Sequence, residues 1–311
     1  MSSTFASTTT TPSRFRIWIQ AIRYFSFTAS ITPIAAGSAL ALYDHTFDWL
    51  LLVLMLLASV ACHAGANLAN DYYDHIKGID TAESLGPSKV IQQGLLTSAE
   101  VKRGMIVAFA IATAFGLIIV AASSWVILVL ALASLAVAVL YTGGPKPLGY
   151  VALGELTVFL FMGPVMVGGA YAVMANRLTL QAVLVAIPIG LLVAVILHAN
   201  NIRDIPLDRA AGKVTLATRF GRRAANDEYV ALVAGAYLTT LVLIATDLGL
   251  WPVLLTGITV PVAVELCRVV FTATDVRELN LLLRKTAGLH FRFGACMTVG
   301  LVLSSIVERV F

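Results

Sequence analysis

The chain has 311 residues, of which 59% are hydrophobic and 12% are charged, whereas a soluble domain carries about 25% charged residues. A chain of this length needs a polar surface to face water, so the composition excludes most soluble classes and favours a protein surrounded by a lipid bilayer. The 21 Lys and Arg residues exceed the 17 Asp and Glu residues only slightly, giving a net charge of +4. This small and dispersed excess gives no indication of nucleic-acid binding.

Nine apolar runs are long enough to cross a membrane, because a hydrocarbon core of about 30 Å needs about 20 residues of helix. We therefore predict an all-α polytopic membrane protein with nine transmembrane helices. The predicted spans are 22–43, 48–69, 104–122, 125–141, 154–175, 180–200, 228–247, 249–270 and 290–308. Residues 1–13 are uncharged and rich in Ser and Thr, which predicts a disordered tail before a single membrane domain at 14–311.

The distribution of basic residues predicts the orientation of these spans, because cytoplasmic loops collect Lys and Arg. Basic residues precede the first span and fill the connections between spans two and three, six and seven, and eight and nine. The opposite side has little beyond Arg177 and Arg309. We expect a cytoplasmic N-terminus in the cell inner (plasma) membrane, with the long loops, and hence the active site, on the cytoplasmic side.

One group of polar residues lies at the cytoplasmic end of the second span. Asn67, Asp71 and Asp74 fall on one narrow helical face, because each residue advances by about 100°. Like charges at this spacing destabilise a helix, and acidic side chains near a C-terminus oppose the helix dipole. A single acidic residue at this position would be interpreted as an ordinary solvated helix end. For several acidic residues on one face, a bound cation would remove both the repulsion and the unfavourable interaction with the helix dipole.

A second group of the same kind follows the sixth span. Asn200, Asp204 and Asp208 share one stripe if the helix continues past Pro206. Proline removes a backbone hydrogen bond and disfavours that continuation, so Asp208 could instead reach back from a loop. The repetition of the pattern at two span ends favours a functional interpretation.

Carboxylate and amide oxygens without a Cys or His cluster favour Mg²⁺, which usually completes its ligand shell with water and substrate phosphates. Two facing acidic groups therefore indicate a Mg²⁺-bridged diphosphate. Nearby cations would bind the remaining phosphate charge, although each could equally reflect the cytoplasmic bias of basic residues. The candidates are Lys89, Arg203 and Lys213, followed by Lys77 and Arg209.

Four stretches of sequence resemble the UbiA superfamily of intramembrane prenyltransferases, and most of all its 1,4-dihydroxy-2-naphthoate polyprenyltransferase branch. They are NLANDYYDHIKGID at 67–80, GPSKVIQQGLL at 86–96, YTGGPKPLGYVALGE at 141–155 and NNIRDIPLDRAAGKVTLATRFG at 200–221. The resemblance implies a nine-helix bundle around a central cavity. It also implies transfer of a polyprenyl group from polyprenyl diphosphate to 1,4-dihydroxy-2-naphthoate with loss of CO₂, giving demethylmenaquinol in menaquinone biosynthesis.

The resemblance also assigns roles to residues of this chain. Metal positions are Asn67, Asp71, Asp74, Asp204 and Asp208; diphosphate contacts are Asn67, Lys89, Asn200, Arg203 and Lys213; catalytic positions are Asp71, Asp204 and Tyr141. Many relatives have a third Asp four residues after Asp74, where this chain has Gly78, with Asp80 two residues further on. Asp80 is therefore a doubtful ligand.

Two other functions stay open from the residues alone. A sibling enzyme would prenylate another aromatic acceptor, of the phylloquinone, ubiquinone or tocopherol type. An ion-coupled transporter would also place acidic residues in a membrane, but here they cluster at one face.

Several further side chains carry narrower expectations. Glu155 could act on the acceptor or cap a helix, and His198 is expected to pair with a polar neighbour. Glu265 and Arg268 are three residues apart and are predicted to pair with each other. Because neighbouring acids repel, we expect neutralising Asp71 to leave the fold intact or slightly more stable.

Overall fold

The structure, a computed structural model, describes residues 13–79 and 88–310. This part of the chain is almost entirely helical. The helices are α1 (Arg14–Ala21), α2 (Tyr24–Tyr43), α3 (Trp49–Ile76), α4 (Ser98–Ala122), α5 (Trp125–Leu140), α6 (Gly154–Ala175), α7 (Leu180–Arg203), α8 (Ile205–Ala210), α9 (Leu216–Thr246), α10 (Leu248–Thr272) and α11 (Val276–Val310). Residues 1–12 of the predicted tail lie outside the described residues, whereas Ser13 caps α1.

Eight of the described helices, namely α2, α3, α4, α6, α7, α9, α10 and α11, are long and apolar enough to cross a membrane. The remaining predicted span, 125–141, is α5, which has only 16 residues and is thus about 24 Å long. The protein is a multi-pass membrane protein, and the all-α fold prediction is confirmed.

Three spans begin earlier than their apolar runs predicted, at Ser98, Leu216 and Val276. The first two helices begin at polar capping residues, and a search for apolar runs does not detect such residues. Thr97 and Glu100 form a reciprocal capping box at the start of α4, and Thr215 caps α9. The connection between the predicted eighth and ninth spans is helical from Val276 onward and continuous with the last span in α11.

The ends of α3 and α5 lie together, which fixes how the chain crosses between them. Lys77 Nζ, just after α3, donates hydrogen bonds to the carbonyl oxygens of Thr142 at 2.6 Å and Gly144 at 3.1 Å, just after α5. Helices α4 and α5 are separated only by Ser123 and Ser124 and form a tight hairpin. The chain therefore leaves the end of α3, crosses twice, and returns to the same side.

Helices α6 and α7 pack unusually closely. Residues Phe161–Gly168 of α6, which contain Pro164, have π-helical hydrogen bonding. A Cβ atom on Gly163 would lie 2.8 Å from the Gly190 Cα atom of α7, so glycine is required at this crossing. This approach places the start of α6 beside the end of α7, where the second acidic group lies.

The predicted pair between Glu265 and Arg268 is wrong. Glu265 Oε1 instead accepts a hydrogen bond from Lys285 Nζ at 2.7 Å, across from α10 to α11. Two neighbouring helices bring these ends together in space, which a spacing of three residues along one helix cannot reveal.

Candidate active site

The first acidic group is buried at the end of α3 and has a cationic partner. Asp71 is 4% exposed, and its Oδ1 atom accepts a hydrogen bond from Arg23 Nη2. Arg23 lies between α1 and α2 with a left-handed backbone (φ 54°), and also bonds the side-chain oxygen of Asn70 at 2.9 Å. Asp71 Oδ2 is buried without a hydrogen-bond partner among the described residues. One oxygen of this carboxylate is thus left for a ligand.

Asn67, one turn before Asp71, is oriented by the start of α2. Its side-chain nitrogen donates hydrogen bonds to the Ile22 carbonyl oxygen at 2.9 Å and to Ser26 Oγ at 3.2 Å. His63 contacts the same Ser26 Oγ at 3.1 Å and therefore supports this arrangement. The amide oxygen, which is the end that binds metals, is consequently turned away from these contacts.

Asp74 is held by two donors from different parts of the chain. The Tyr150 hydroxyl donates to Asp74 Oδ1, and Asn70 Nδ2 donates to Asp74 Oδ2 at 2.7 Å. Tyr150 lies in the short turn between α5 and α6. The packing of α5 against the end of α3 thus gives this buried carboxylate its position.

The second acidic group is organised by Arg203 at the end of α7. Its Nε and Nη2 atoms donate to the two carboxylate oxygens of Asp204, each at 2.7 Å. Nη2 also bonds Asn200 Oδ1 at 2.8 Å, and Nη1 bonds Asn280 Oδ1 of α11 at 2.9 Å. The guanidinium is buried and heavily engaged, so it must exchange some of these bonds to contact a diphosphate.

The chain continues past Pro206 without losing its helical register. Helix α7 ends at Arg203, and the six-residue α8 begins at once with Pro206 in its first turn, where proline is tolerated. The Asp204 nitrogen bonds the Asn200 carbonyl at 3.0 Å, and the Asp208 nitrogen bonds the Asp204 carbonyl at 2.8 Å. The i, i+4 spacing of the second acidic group therefore persists across the break.

Asp208 pairs with Lys213 of the following turn at 3.2 Å. Burial raises the pKa of the Asp208 carboxyl, and the nearby Lys213 ammonium offsets part of this increase. Asp208 Oδ2 is buried without a hydrogen-bond partner in the described part of the chain. Like Asp71, this side chain keeps one oxygen for a ligand.

The turn that contains Tyr150 joins the two acidic groups. Lys213 Nζ lies 5.6 Å and Lys77 Nζ 5.3 Å from the centre of the Tyr150 ring. The backbones also pair, since the Val214 nitrogen bonds the Tyr150 carbonyl at 3.1 Å and the Ala152 nitrogen bonds the Val214 carbonyl at 2.8 Å. The ends of α3 and α7 are thereby brought to one site.

Tyr141, the predicted catalytic tyrosine, belongs to this site. Its carbonyl oxygen accepts a hydrogen bond from the Gly149 nitrogen at 3.0 Å, and a Cβ atom on Gly154 would lie 3.2 Å from its hydroxyl oxygen. Gly149 belongs to the turn that contains Tyr150, and Gly154 begins α6. The Tyr141 side chain therefore lies between this turn and the start of α6.

Lys89 is half-buried in the segment that follows Ser88, whose carbonyl oxygen accepts a hydrogen bond from Gln20 Nε2 at 2.6 Å. The role of Lys89 in binding a diphosphate stays a prediction. Asp80 lies outside the described residues, so its status as a ligand is unchanged.

Sequence reasoning missed four residues of the site. They are Arg23, Asn70, Tyr150 and Asn280. In the sequence, Arg23 is only one of the basic residues near the first span, and Tyr150 lies inside the stretch 141–155 without an assigned role. Asn280 gave no sequence signal, because only the packing of α11 brings it to Arg203.

The donor atoms of the site fit Mg²⁺. Within residues 13–79 and 88–310, no three His, Cys, Asp or Glu side chains gather closely enough to form a metal site. Mg²⁺ is usually held by one or two carboxylates and by substrate phosphates rather than by an all-protein cage. The unpartnered oxygens of Asp71 and Asp208 match that mode of binding.

Comparison with known proteins places the chain in a family. The sequence profile of the UbiA prenyltransferase family matches residues 30–286. The 1,4-dihydroxy-2-naphthoate octaprenyltransferase of Bacillus subtilis is 32% identical over 288 residues, which cover 93% of this chain and 92% of that protein. The protein of the same name from Mycobacterium tuberculosis is 36% identical over 274 residues, covering 88% and 92%.

Solved structures show the same fold. A UbiA homolog from Archaeoglobus fulgidus has a TM-score of 0.67 at 14% identity, covering 92% of this chain and 99% of that one. A structure of a UbiA homolog from the same organism, bound to GPP and Mg²⁺, has a TM-score of 0.61 at 14% identity over 91% and 99%. By sequence profile, relatives and fold, the chain belongs to the UbiA prenyltransferase family.

Proposed function

We propose that the chain transfers a polyprenyl group from polyprenyl diphosphate to 1,4-dihydroxy-2-naphthoate, releasing CO₂ and diphosphate and forming demethylmenaquinol. The observation that carries the proposal is the single site formed by the ends of α3 and α7, joined through Tyr150. Bacterial relatives named for this reaction match the chain over most of their length, which supports the choice of acceptor.

The proposed cofactor is Mg²⁺, held by two groups of oxygen ligands. Asp71 and Asp208 would hold it through their unpartnered oxygens, and Asn67, Asp74 and Asp204 would complete the proposed ligand set. When bound, Mg²⁺ neutralises charge on the departing diphosphate. The presence of Mg²⁺ with GPP in a structure of a UbiA homolog supports this assignment.

The chain's own cations would bind the diphosphate oxygens. Lys213 and Lys77 both lie beside the Tyr150 ring, between the two acidic groups, and Arg203 borders the second. Burial lowers the pKa of the Lys77 ammonium, although Asp74 partly opposes this effect, so a bound anion would be a favourable partner. Lys89 and Asn200 complete the proposed diphosphate contacts.

Departure of the diphosphate leaves positive charge on the allylic carbon of the prenyl group. An aromatic ring can stabilise a desolvated cation by about 2 kcal/mol, and we assign this role to Tyr141 within the joined site. The membrane domain keeps water away from this carbon, because water would otherwise react with the allylic cation. The prenyl tail can stay in the hydrocarbon core throughout.

The site is proposed to face the cytoplasm in the cell inner membrane. Loops at this end carry most of the basic residues, which are retained on the cytoplasmic side. The same orientation places the N-terminus inside and the C-terminus outside.

Purified protein incubated with Mg²⁺, dihydroxynaphthoate and prenyl diphosphates of several lengths tests the proposal directly. The expected product is a decarboxylated prenyl naphthalenediol, identified by mass. Competing acceptors in the same mixture, such as a hydroxybenzoate and a homogentisate, distinguish the sibling enzymes. Preferred prenylation of one of these would refute the naphthoate assignment while leaving the family intact.

A further inference from the structure

A buried cluster of polar side chains lies beside the site and has no role in binding metal or diphosphate. Glu155 begins α6, and His198 and Asn201 lie near the end of α7. Glu155 Oε1 contacts His198 Nδ1 at 3.0 Å and accepts a hydrogen bond from Asn201 Nδ2 at 2.9 Å. The three residues are 4%, 0% and 2% exposed, respectively. They form a fixed cluster in the interior.

The second oxygen of Glu155 is not used by this cluster. Glu155 Oε2 is buried and has no hydrogen-bond partner among the described residues. Leaving a buried acceptor unpaired costs about 1–3 kcal/mol, and more when the group is charged. A purely structural ion pair would be expected to satisfy both oxygens, whereas a binding group keeps one for its ligand.

The contacts of His198 indicate the ionisation state of Glu155. His198 Nε2 lies 2.8 Å from the Ala225 carbonyl oxygen, which can only accept, so Nε2 carries a hydrogen. A further hydrogen then lies between Nδ1 and Glu155 Oε1. The histidine, whose Nε2 atom also lies 3.7 Å from Glu228 Oε2, thus stabilises Glu155 in its ionised form, and Asn201 adds a second donor to the same oxygen of Glu155.

Glu155 is linked to the reaction through Tyr141. A Cβ atom on Gly154, the residue before Glu155, would lie 3.2 Å from the Tyr141 hydroxyl oxygen. Glu155 therefore lies next in the chain to a residue that faces the tyrosine to which we assign stabilisation of the allylic cation, and the aromatic acceptor must approach the prenyl group in this region.

We propose that Glu155 binds a ring hydroxyl of the aromatic acceptor through Oε2 and takes its proton, while His198 and Asn201 act as positioning residues. This inference rests on the proposed function, because it needs an acceptor with an acidic ring hydroxyl. An ionised ring oxygen donates electron density to the neighbouring ring carbon, which is the carbon that must attack.

The proposed step is balanced without another reactant. The hydroxyl proton moves to Glu155 Oε2, the adjacent ring carbon that bears the carboxylate forms a bond to the prenyl carbon, and the carbon–oxygen bond to diphosphate breaks with its electron pair. The ring is then a ketone with a neighbouring carboxylate. When the bond to CO₂ breaks, its electron pair restores the aromatic ring, and the ring oxygen recovers the proton from Glu155.

The test compares Glu155→Gln with Glu265→Gln, a control that removes a carboxylate from the exposed pair with Lys285. Melting temperature, donor binding and turnover are measured for both. General-base catalysis contributes about 10²–10⁴-fold, so turnover of Glu155→Gln should fall by about that factor while donor affinity stays within threefold of the unmodified protein. The control should match the unmodified protein in all three measurements.

A second acceptor separates base catalysis from a structural role. A halogenated dihydroxynaphthoate whose ring hydroxyl is already ionised needs no base. With this acceptor, the loss of turnover caused by Glu155→Gln should be at least tenfold smaller than with the ordinary acceptor. Equal losses with both acceptors would overturn the proposal. If Glu155→Gln has a much lower melting temperature, the solvent deuterium isotope effect on turnover is measured on the unmodified enzyme instead. An isotope effect seen only with the ordinary acceptor supports base catalysis by Glu155, and equal isotope effects with both acceptors exclude it.

His198→Gln tests the positioning role. Turnover should fall with the ordinary acceptor and recover with the ionised one, as for Glu155→Gln, whereas a uniform loss would contradict positioning. Failure of the proposed function is distinguishable, because the unmodified enzyme would then prenylate a different acceptor. Unchanged turnover of Glu155→Gln with demethylmenaquinol as product would sink this inference alone.

Discussion

The Tyr150 hydroxyl donates a hydrogen bond to the Asp74 carboxylate. The same tyrosine ring lies beside Lys213, which pairs with Asp208. One side chain from the turn before α6 therefore fixes the separation of two acidic groups that are more than a hundred residues apart. A bridging diphosphate requires a defined separation, so Tyr150 is expected to matter for donor binding although it is not itself acidic or basic.

Tyr150→Phe tests this role, because it removes the hydroxyl and keeps the ring beside Lys213 and Lys77. A hydrogen bond to a charged group is worth about 1.5–3 kcal/mol, so we expect kcat/KM for the prenyl diphosphate to fall by about 10- to 150-fold. KM for the donor should carry much of this change. Steady-state kinetics on the purified variant measure both quantities.

Tyr24→Phe is the matched control, since Tyr24 is 60% exposed and removal of an exposed hydroxyl changes stability by less than about 0.5 kcal/mol. Unaltered kinetics for Tyr150→Phe would mean that the two acidic groups are positioned by their helices alone.

The sequence predicted the helical class and the two acidic groups, because both depend on local patterns that repeat with the helical period. Partners from distant segments were not predictable in the same way. Arg23 reaches Asp71 only because the turn between α1 and α2 packs on the end of α3, and Asn280 reaches Arg203 only because α11 extends beyond its apolar run. Neither contact leaves a periodic signature in the chain.

The same limit explains the helix starts. Thr97 and Thr215 are polar capping residues. A helix predicted from its apolar run begins only where the apolar residues begin, so its polar first turns are missed. The interruption at Gly221, where φ is 85° within α9, separates a short polar first part of that helix from the membrane span and accounts for the late predicted start.

Metal dependence is expected to be complete and selective. Chelation with EDTA should abolish turnover, and Mg²⁺ should restore it, because two carboxylates with free oxygens and a diphosphate suit a small six-coordinate ion. Ca²⁺, which prefers longer bonds and more ligands, should restore little. The measurement is turnover in chelated protein titrated with each ion, and full activity in the chelated protein would contradict the metal assignment.

Orientation in the membrane can be measured with single cysteines. A variant without Cys62, Cys267 and Cys296 would carry one new cysteine, either at Ser2 or at Phe311, and would be labelled in sealed vesicles of known sidedness. We expect labelling of the first position from the cytoplasmic side and of the second from outside, because an odd number of spans separates them. Labelling of both from one side would reject the nine-span orientation.

Neutralising Asp71 gives the sharpest test of the first acidic group, and the structure changes the expected outcome. The sequence suggested that Asp71→Asn would be neutral or slightly stabilising, because only repulsion between acids was visible. Asp71 is in fact the buried partner of Arg23, whose side chain is 15% exposed. Breaking a buried pair leaves an uncompensated charge, and since Asn can still accept a hydrogen bond we expect a stability loss of about 1–3 kcal/mol.

The double variant Arg23→Gln with Asp71→Asn separates stability from catalysis. Removing both charges relieves the unpaired arginine, so the melting temperature should return toward that of the unmodified protein. Turnover should stay lower by orders of magnitude, because charge stabilisation of the leaving diphosphate is still missing. Melting temperature and turnover measured on the same detergent-purified samples give the answer. A double variant that regains near-normal turnover along with its stability would make Asp71 a structural partner of Arg23 and would remove it from the proposed metal site.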